Sequence, residues 1–252
     1  MSAKSHHPTY PANLQRNPLA GTIITVDGPT ASGKGTLAKT LAQRWRLKFL
    51  DTGAIYRAVA YSVLAQGKAA EDTAAAIAAA KNLQFDFKHK GNNQFGVWVN
   101  GAEVTEAIRS LEVGQAASII AINPTIRTLL KNYQVEYAHH WQNLVGVVLD
   151  GRDTGARIAP SAQVKIFLTA SLEERARRRW LEVQSKGGNS TLEHVQAEVA
   201  ARDARDAPNT LTCPDAVTID ATHLTPSQTL EKAIKTVETK LGRHVPPAPA
   251  GE

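Results

Sequence analysis

Five short apolar runs punctuate the chain: Thr22-Ile23-Ile24-Thr25-Val26, Leu47-Lys48-Phe49-Leu50, Val145-Gly146-Val147-Val148-Leu149, Val164-Lys165-Ile166-Phe167-Leu168 and Ala216-Val217-Thr218-Ile219. They are nearly continuous rather than alternating, the pattern of parallel strands whose two faces are both covered by helices. Helical stretches fall between them, from Lys34 to Trp45, from about Asp51 to Leu64, and from Pro226 onward with Thr225 as the expected N-cap. The segment between the second and third runs has a different texture. An Ala-rich helix at 72–81 leads to Leu83–Lys88, which alternates as an exposed strand does, and turns at Lys90–Asn93 and Val99–Gly101 delimit two or three short antiparallel strands. Helices over 113–122 and 125–141 follow. The pattern predicts an α/β fold: a doubly wound, five-stranded parallel sheet with a subdomain inserted between its strands.

The ends of the chain lack such periodicity. Residues 1–20 are polar, with Pro8, Pro11 and Pro18, and the stretch after Gly242 is rich in Pro and Ala, so both read as disordered tails. The His6–His7 pair in the first tail is read as incidental. A length of 252 residues suits one sizeable core. The net charge of +6 is concentrated, with Arg175, Arg177, Arg178, Arg179, Arg202 and Arg205 alone supplying six positive charges. Bound phosphates explain such a cluster as well as a polynucleotide does, and aromatic residues at 6% offer few stacking platforms for single strands. The single cysteine, Cys213, excludes an intramolecular disulfide and reads as a core thiol. No stretch is apolar over the ~20 residues that a bilayer span requires, and the N-terminus lacks the apolar segment of a signal peptide, so a cytoplasmic protein without membrane contact is expected.

Chemistry enters directly behind the first apolar run. Gly28-Pro29-Thr30-Ala31-Ser32-Gly33-Lys34-Gly35-Thr36 has the spacing of a P-loop, in which glycines let the backbone turn and aim its N–H groups at phosphate. The following helix presents its positive end to the same point, and Lys34 would reach the β- and γ-phosphates of a nucleoside triphosphate. Gly35 stands where many P-loops carry Ser or Thr, and the hydroxyl comes one place later at Thr36. Asp150 closes the third apolar run at the carboxyl edge of the sheet, where its carboxylate could hold Mg²⁺ through water.

The motifs DGPTASGKGT and LDTGAIYRAVA, followed by LDGRDTG at Leu149–Gly155, VKIFLTAS at Val164–Ser171, EERARRR at Glu173–Arg179 and RDARD at Arg202–Asp206, resemble those of the bacterial cytidylate kinases, P-loop nucleoside monophosphate kinases that phosphorylate CMP and dCMP. The resemblance covers about Ile23 to Lys240. It implies a core at about 21–66, 144–174 and 214–242, an acceptor-binding insert at about 67–143, a helical lid at about 175–206, and tails at 1–20 and 243–252. It further implies that Thr52, Arg57, Ser118, Arg127, Arg152, Asp153 and Asp206 bind the acceptor, and Arg205 is read with them: Arg57 and Arg152 at its phosphate, Ser118, Arg127 and Asp153 at its base, Asp206 at its sugar. Lys34, Arg152, Arg178, Arg179 and Arg202 would be catalytic, with ATP as donor, Mg²⁺ as cofactor, a monomeric chain and no nucleic-acid partner. One departure stands out. Three residues after Asp206, where that family usually has another arginine, this chain has Asn209, so either Arg205 covers the contact or the acceptor phosphate is held less tightly.

Arginine suits this task because its fork matches phosphate oxygens and stays charged. On a helix, Arg175, Arg178 and Arg179 share a face while Arg177 points elsewhere. The rival functions are another small kinase of this fold, acting on UMP, AMP or shikimate, and a P-loop ATPase that uses nucleotide as a regulatory switch.

Overall fold

The computed structural model describes residues 17–90 and 95–248. Its strands and α-helices are, in chain order, β1 (Ile23–Asp27), α1 (Lys34–Arg44), β2 (Lys48–Asp51), α2 (Thr52–Leu64), α3 (Thr73–Lys81), β3 (Phe85–His89), β4 (Phe95–Val99), β5 (Ala102–Glu103), α4 (Leu111–Ile120), α5 (Pro124–Leu144), β6 (Val147–Gly151), β7 (Val164–Thr169), α6 (Leu172–Ser185), α7 (Leu192–Asp206), β8 (Val217–Asp220) and α8 (Pro226–Leu241). The main sheet has the order β2-β6-β1-β7-β8 with every neighbour parallel. Each position of β1 and β6 is buried, which is why these strands are apolar without alternation. Helices α1 and α8 pack on each other and on the central strands, and α2 and α5 pack on β6.

The parallel register decides which acids meet. Val26 and Asp51 are both partners of Asp150, so Asp51 and Asp150 share one face of the sheet, while Asp27, one residue past Val26, projects to the other. Lys165 of β7 is buried, and its ammonium is satisfied by Asp215 at 2.8 Å and the Pro160 carbonyl at 2.6 Å. Cys213 is a buried free thiol, as its reading from the sequence had it.

The insert forms its own three-stranded antiparallel sheet, β3-β4-β5. Phe85 and Phe87 point inward from β3, and the Phe87 and Phe95 rings stand 5.2 and 5.4 Å from the ring of Phe49 on β2, so an aromatic cluster joins the small sheet to the large one. The Tyr133 hydroxyl on α5 donates to the Phe85 carbonyl at 2.8 Å. Part of the Lys90–Asn93 turn, residues 91–93, lies outside the described residues, as does the His6–His7 pair. Thr225 caps α8 in a capping box with Gln228.

The chain departs from expectation near both ends. Leu19 is fully buried, and Asn17 donates to the Trp45 carbonyl at 2.6 Å, so the ordered core begins before residue 21. Past Gly242 the chain turns back onto α1. Val245 is fully buried, its carbonyl accepts from the Trp45 indole at 3.2 Å, and the Ala248 amide donates to the Arg44 carbonyl at 2.8 Å. Composition marked these stretches as tails, but a single apolar side chain in each finds a place in the core.

Two substitutions test this packing. Val245→Ala should cost about 1–2 kcal/mol, a fall in Tm of about 2–4 °C per kcal/mol in a chain of this size; an unchanged Tm would put Val245 outside the core. A Cβ at Gly28, where φ is +155°, would stand 2.0 Å from the Leu168 carbonyl oxygen. Gly28→Ala should therefore lower Tm by more than Val245→Ala does, and wild-type stability in that variant would contradict the loop's packing.

Candidate phosphoryl-transfer site

The loop from Gly28 to Gly33 joins β1 to α1. Gly33 (φ +93°) and, unusually for a residue with a side chain, Ala31 (φ +59°) take left-handed backbone conformations that curl it. Lys34 opens α1, and its ammonium rests on the Pro29 carbonyl at 3.3 Å. Gly35 is small for a visible reason: a Cβ there would lie 3.0 Å from Oδ2 of Asp150.

Asp150 is buried, and its Oδ1 has no hydrogen-bond partner among the described residues. Burial pushes its carboxyl up, against the pull of Lys34. Lys34 is shifted the opposite way, with burial and the Arg152 guanidinium pushing its ammonium down and Asp150 partly restoring it. Thr52 is buried, and its hydroxyl donates to the Asp150 carbonyl at 2.9 Å.

Five cations form a chain that starts at this point. Arg152 donates to the Gly28 carbonyl and the Thr30 hydroxyl, each at 2.7 Å, and through Nε and a terminal nitrogen to Oδ2 of Asp206 at 3.0 and 2.8 Å. Arg202, on the same helix as Asp206, lies 3.7 Å from that carboxylate oxygen. Arg202 is exposed on one side; crowding by protein on the other lowers its pKa, and Arg152, Arg57 and Arg179 lower it further by repulsion. Arg57 donates to the Ile108 carbonyl at 2.9 Å and lies across Gly114 of α4; burial and the nearby Arg179 and Arg109 lower its pKa, while Asp51 raises it. Lys34 thus feels Arg152 and Arg202 as like charges, and Arg202 in turn feels Arg57 and Arg179, so the five cations form a chain of neighbours.

The arginine helix divides its labour. Arg175 is buried and spent on the Ala170 carbonyl, the Thr30 carbonyl and the Asp203 carboxylate. Asp203 also accepts the Thr30 amide at 3.2 Å, so one ion pair bolts α6 and α7 to the phosphate loop. Arg178 reaches the Ser32 carbonyl at 3.3 Å and the Ala221 carbonyl at 2.6 Å. Arg179 is half exposed and held by Glu182 at 2.7 Å. Arg177 points away and pairs with Glu174, whose carboxyl Arg177 and Arg178 together pull down to about 2.

A second cluster lies beside the first. Arg127 of α5 is 3.6 Å from Oδ2 of Asp153, and Arg157 is 3.4 Å from the same oxygen. Burial raises the Asp153 pKa while these two guanidiniums oppose it, and Tyr56 of α2 feels all three charges. Ser118 is exposed, its hydroxyl donating one turn back to the Gly114 carbonyl at 3.1 Å, with no hydrogen bond to Arg127 or Asp153. Arg205 is exposed at the end of α7 and forms no ion pair among the described residues.

Three residues here escaped the sequence reading. Asp27 accepts from the Thr154 amide at 2.9 Å, the Thr154 hydroxyl at 2.8 Å and the Gly155 amide at 2.9 Å, welding β1 to the turn that carries Arg152 and Asp153. Asp203 bolts α6 and α7 to the phosphate loop, and Arg157 joins the Asp153 cluster. For Arg157 the available signal was its spacing of four residues from Asp153.

Residues 24–239 match the family profile described as Cytidylate kinase. A cytidylate kinase from Magnetococcus marinus is 38% identical over 222 residues, which cover 86% of this chain and 96% of that protein. One from a Geobacillus species is 40% identical over 223 residues, covering 87% and 97%. Among solved structures, the shikimate kinase of Bacteroides thetaiotaomicron aligns with a TM-score of 0.44 at 15% identity, over 88% of this chain and 98% of that one. On the profile match and the extent of these sequence similarities, the chain belongs to the cytidylate kinase family.

Proposed function

We propose that this chain transfers the γ-phosphoryl group of ATP to CMP or dCMP, with Mg²⁺ as cofactor. The observation that carries the reading is the gathering of cations on the phosphate loop, where Lys34 donates to the Pro29 carbonyl, Arg152 to the Gly28 carbonyl and the Thr30 hydroxyl, and Arg178 to the Ser32 carbonyl, beside the buried Asp150. Two polyanions brought together by such a site lose their mutual repulsion, and phosphoryl transfer asks for little else than alignment and charge neutralisation. The loop amides and Lys34 hold the donor's β- and γ-phosphates. Arg57 and Arg152 hold the acceptor phosphate, Arg152 exchanging the Gly28 carbonyl for it. Arg178, Arg179 and Arg202 close in from the lid, and Asp206 receives the acceptor sugar.

The second cluster supplies the choice of base. An ionised Asp153 can only accept hydrogen bonds and Arg127 can only donate them. Cytosine offers an amino donor beside a ring-nitrogen acceptor, whereas uracil offers the inverse pair. UMP in the same pose would leave both side chains mismatched.

Mg²⁺ keeps several waters and leans on one or two carboxylates plus substrate phosphates. Asp150 fits that description, being a buried carboxylate beside the phosphate loop with one oxygen unpartnered. Asp150 would hold the metal through water, and the metal when bound would offset the charge that develops on the transferred phosphoryl group. No helix among the described residues is long and apolar enough to cross a membrane; we place the protein in the cytoplasm as a monomer that binds these nucleotides and no nucleic acid.

An ADP-release assay with ATP·Mg²⁺ against a panel of nucleoside monophosphates tests the reading. CMP and dCMP should be the best acceptors, with kcat/KM for UMP lower by on the order of a hundredfold, from two inverted contacts at roughly 1–3 kcal/mol each; equal use of CMP and UMP would contradict it. Lys34→Met should stay folded and lose about a hundredfold or more in kcat, and retention of half the turnover would remove the phosphate-loop role.

Asp150→Asn separates function from stability. Burial holds the Asp150 carboxyl above its ordinary value, so its ionised form costs stability at high pH and the cost fades as pH falls toward the usual carboxylate range near ~4. The variant should lose most transfer activity yet melt at or above the wild-type temperature at pH 8, with the gap closing toward pH 5. A lower melting temperature at pH 8 would show that Asp150 stabilises the fold instead.

A further inference from the structure

Arg157 lies on the single turn of π-helix, Thr154–Ile158, that follows Asp153. The Arg157 amide donates to the Asp153 carbonyl at 2.8 Å, so the side chain four residues on returns to the side of the carboxylate. Its Nε stands 3.4 Å from Oδ2 of Asp153, and a terminal nitrogen donates to Oδ1 of Asn209 at 3.4 Å. Arg127 approaches the same Oδ2 from α5. Two guanidiniums from different elements therefore fix one oxygen of one carboxylate. The side chain of Asp153 is 18% exposed and that of Arg157 is 40% exposed, so the pair sits near the surface and not in the core.

We propose that Arg157 is a specificity-determining positioning residue of the acceptor site: bridging Asp153 and Asn209, its guanidinium holds the Asp153 carboxylate in place as a hydrogen-bond acceptor for the amino group of cytosine. The neutral amide at Asn209 permits the bridge, since a second guanidinium there would repel the first. The charged and titratable groups around Asp153 are Arg127 and Lys131 from α5, Arg157 from its own turn, Tyr56 from α2 and Asp27 from β1. Burial raises the Asp153 pKa, and Arg127, Arg157 and Lys131 oppose that rise. Removing Arg157 thus lets the carboxyl take up its proton at a higher pH, and a protonated Asp153 keeps only a neutral carbonyl acceptor for the base amino group and loses the charge that strengthens the bond. This inference rests on the acceptor role of Asp153 proposed above.

The test compares wild type, Arg157→Ala, Arg157→Lys and Arg157→Gln with CMP and with UMP between about pH 5.5 and 8.5. Arg157→Ala should raise KM for CMP about tenfold, the size of one charge-assisted contact, with kcat held within about twofold. Efficiency with UMP should stay constant, so that discrimination narrows. The acid limb of kcat/KM for CMP should move to higher pH in the Ala and Gln variants and return in Arg157→Lys. Parallel loss with CMP and UMP, or an acid limb that stays put in Arg157→Gln, would overturn the proposal. A wild-type enzyme without preference for CMP would instead defeat the acceptor reading itself, whereas a wild-type preference that survives in Arg157→Ala defeats only the role of Arg157.

Discussion

Like-charge repulsion at the carboxyl edge of the sheet is the constraint on which the rest of this structure depends. Arg152 acts on both Lys34 and Arg202, and Arg179 acts on both Arg57 and Arg202. Left to themselves these groups would spread into solvent, where screening is strong. The fold holds them by carbonyl acceptors that carry no net charge, such as Gly28 for Arg152, Ile108 for Arg57 and Ser32 for Arg178, and by a few acids. A polyanion placed among them replaces repulsion with attraction, and it does so in a cleft where water screens less.

Two carboxylates, the buried Asp27 and the partly exposed Asp203, make that arrangement possible. Asp27, at the last position of β1, takes three hydrogen bonds from Thr154 and Gly155 and so fixes the turn bearing Arg152 and Asp153 against the strand bearing the phosphate loop. Asp203 ties Arg175 of α6 to the Thr30 amide, which fixes the arginine helix against the same loop. Neither acid needs to touch a nucleotide. Each converts a loop that would otherwise wander into one whose charges are held at set separations, and the parallel register of β1 and β6 sets the level at which Asp150 meets Gly35.

Much of this was legible in the chain. The β-branched runs at 22–26 and 145–149 became β1 and β6 because a strand covered on both faces has no use for polar positions. The phosphate loop was legible because its glycines, its lysine and the helix after it follow the order that phosphate binding imposes. The roles of Asp27 and Asp203 were not. An Asp before a glycine reads as any turn, and only the tertiary fold brings the Thr154 amide to it. The ends misled for a related reason: composition averages over a tail, whereas Leu19 and Val245 each act through one buried side chain. Arg175, Arg178 and Arg179 share a helical face as their spacing predicted, yet Arg175 has turned to structural work because Asp203 and the Thr30 carbonyl lie within its reach.

In the proposed reaction Arg152 is a guanidinium parked on the Gly28 carbonyl, Thr30 and Asp206 until phosphate displaces them. The most direct measurement is a crystal structure with CMP and a non-hydrolysable ATP analogue bound together. It should show the Arg152 guanidinium released from the Gly28 carbonyl and from Asp206, and within about 2.7–2.9 Å of acceptor phosphate oxygens. An Arg152 that keeps its 2.7 Å contact to Gly28 with both nucleotides in place would contradict the account.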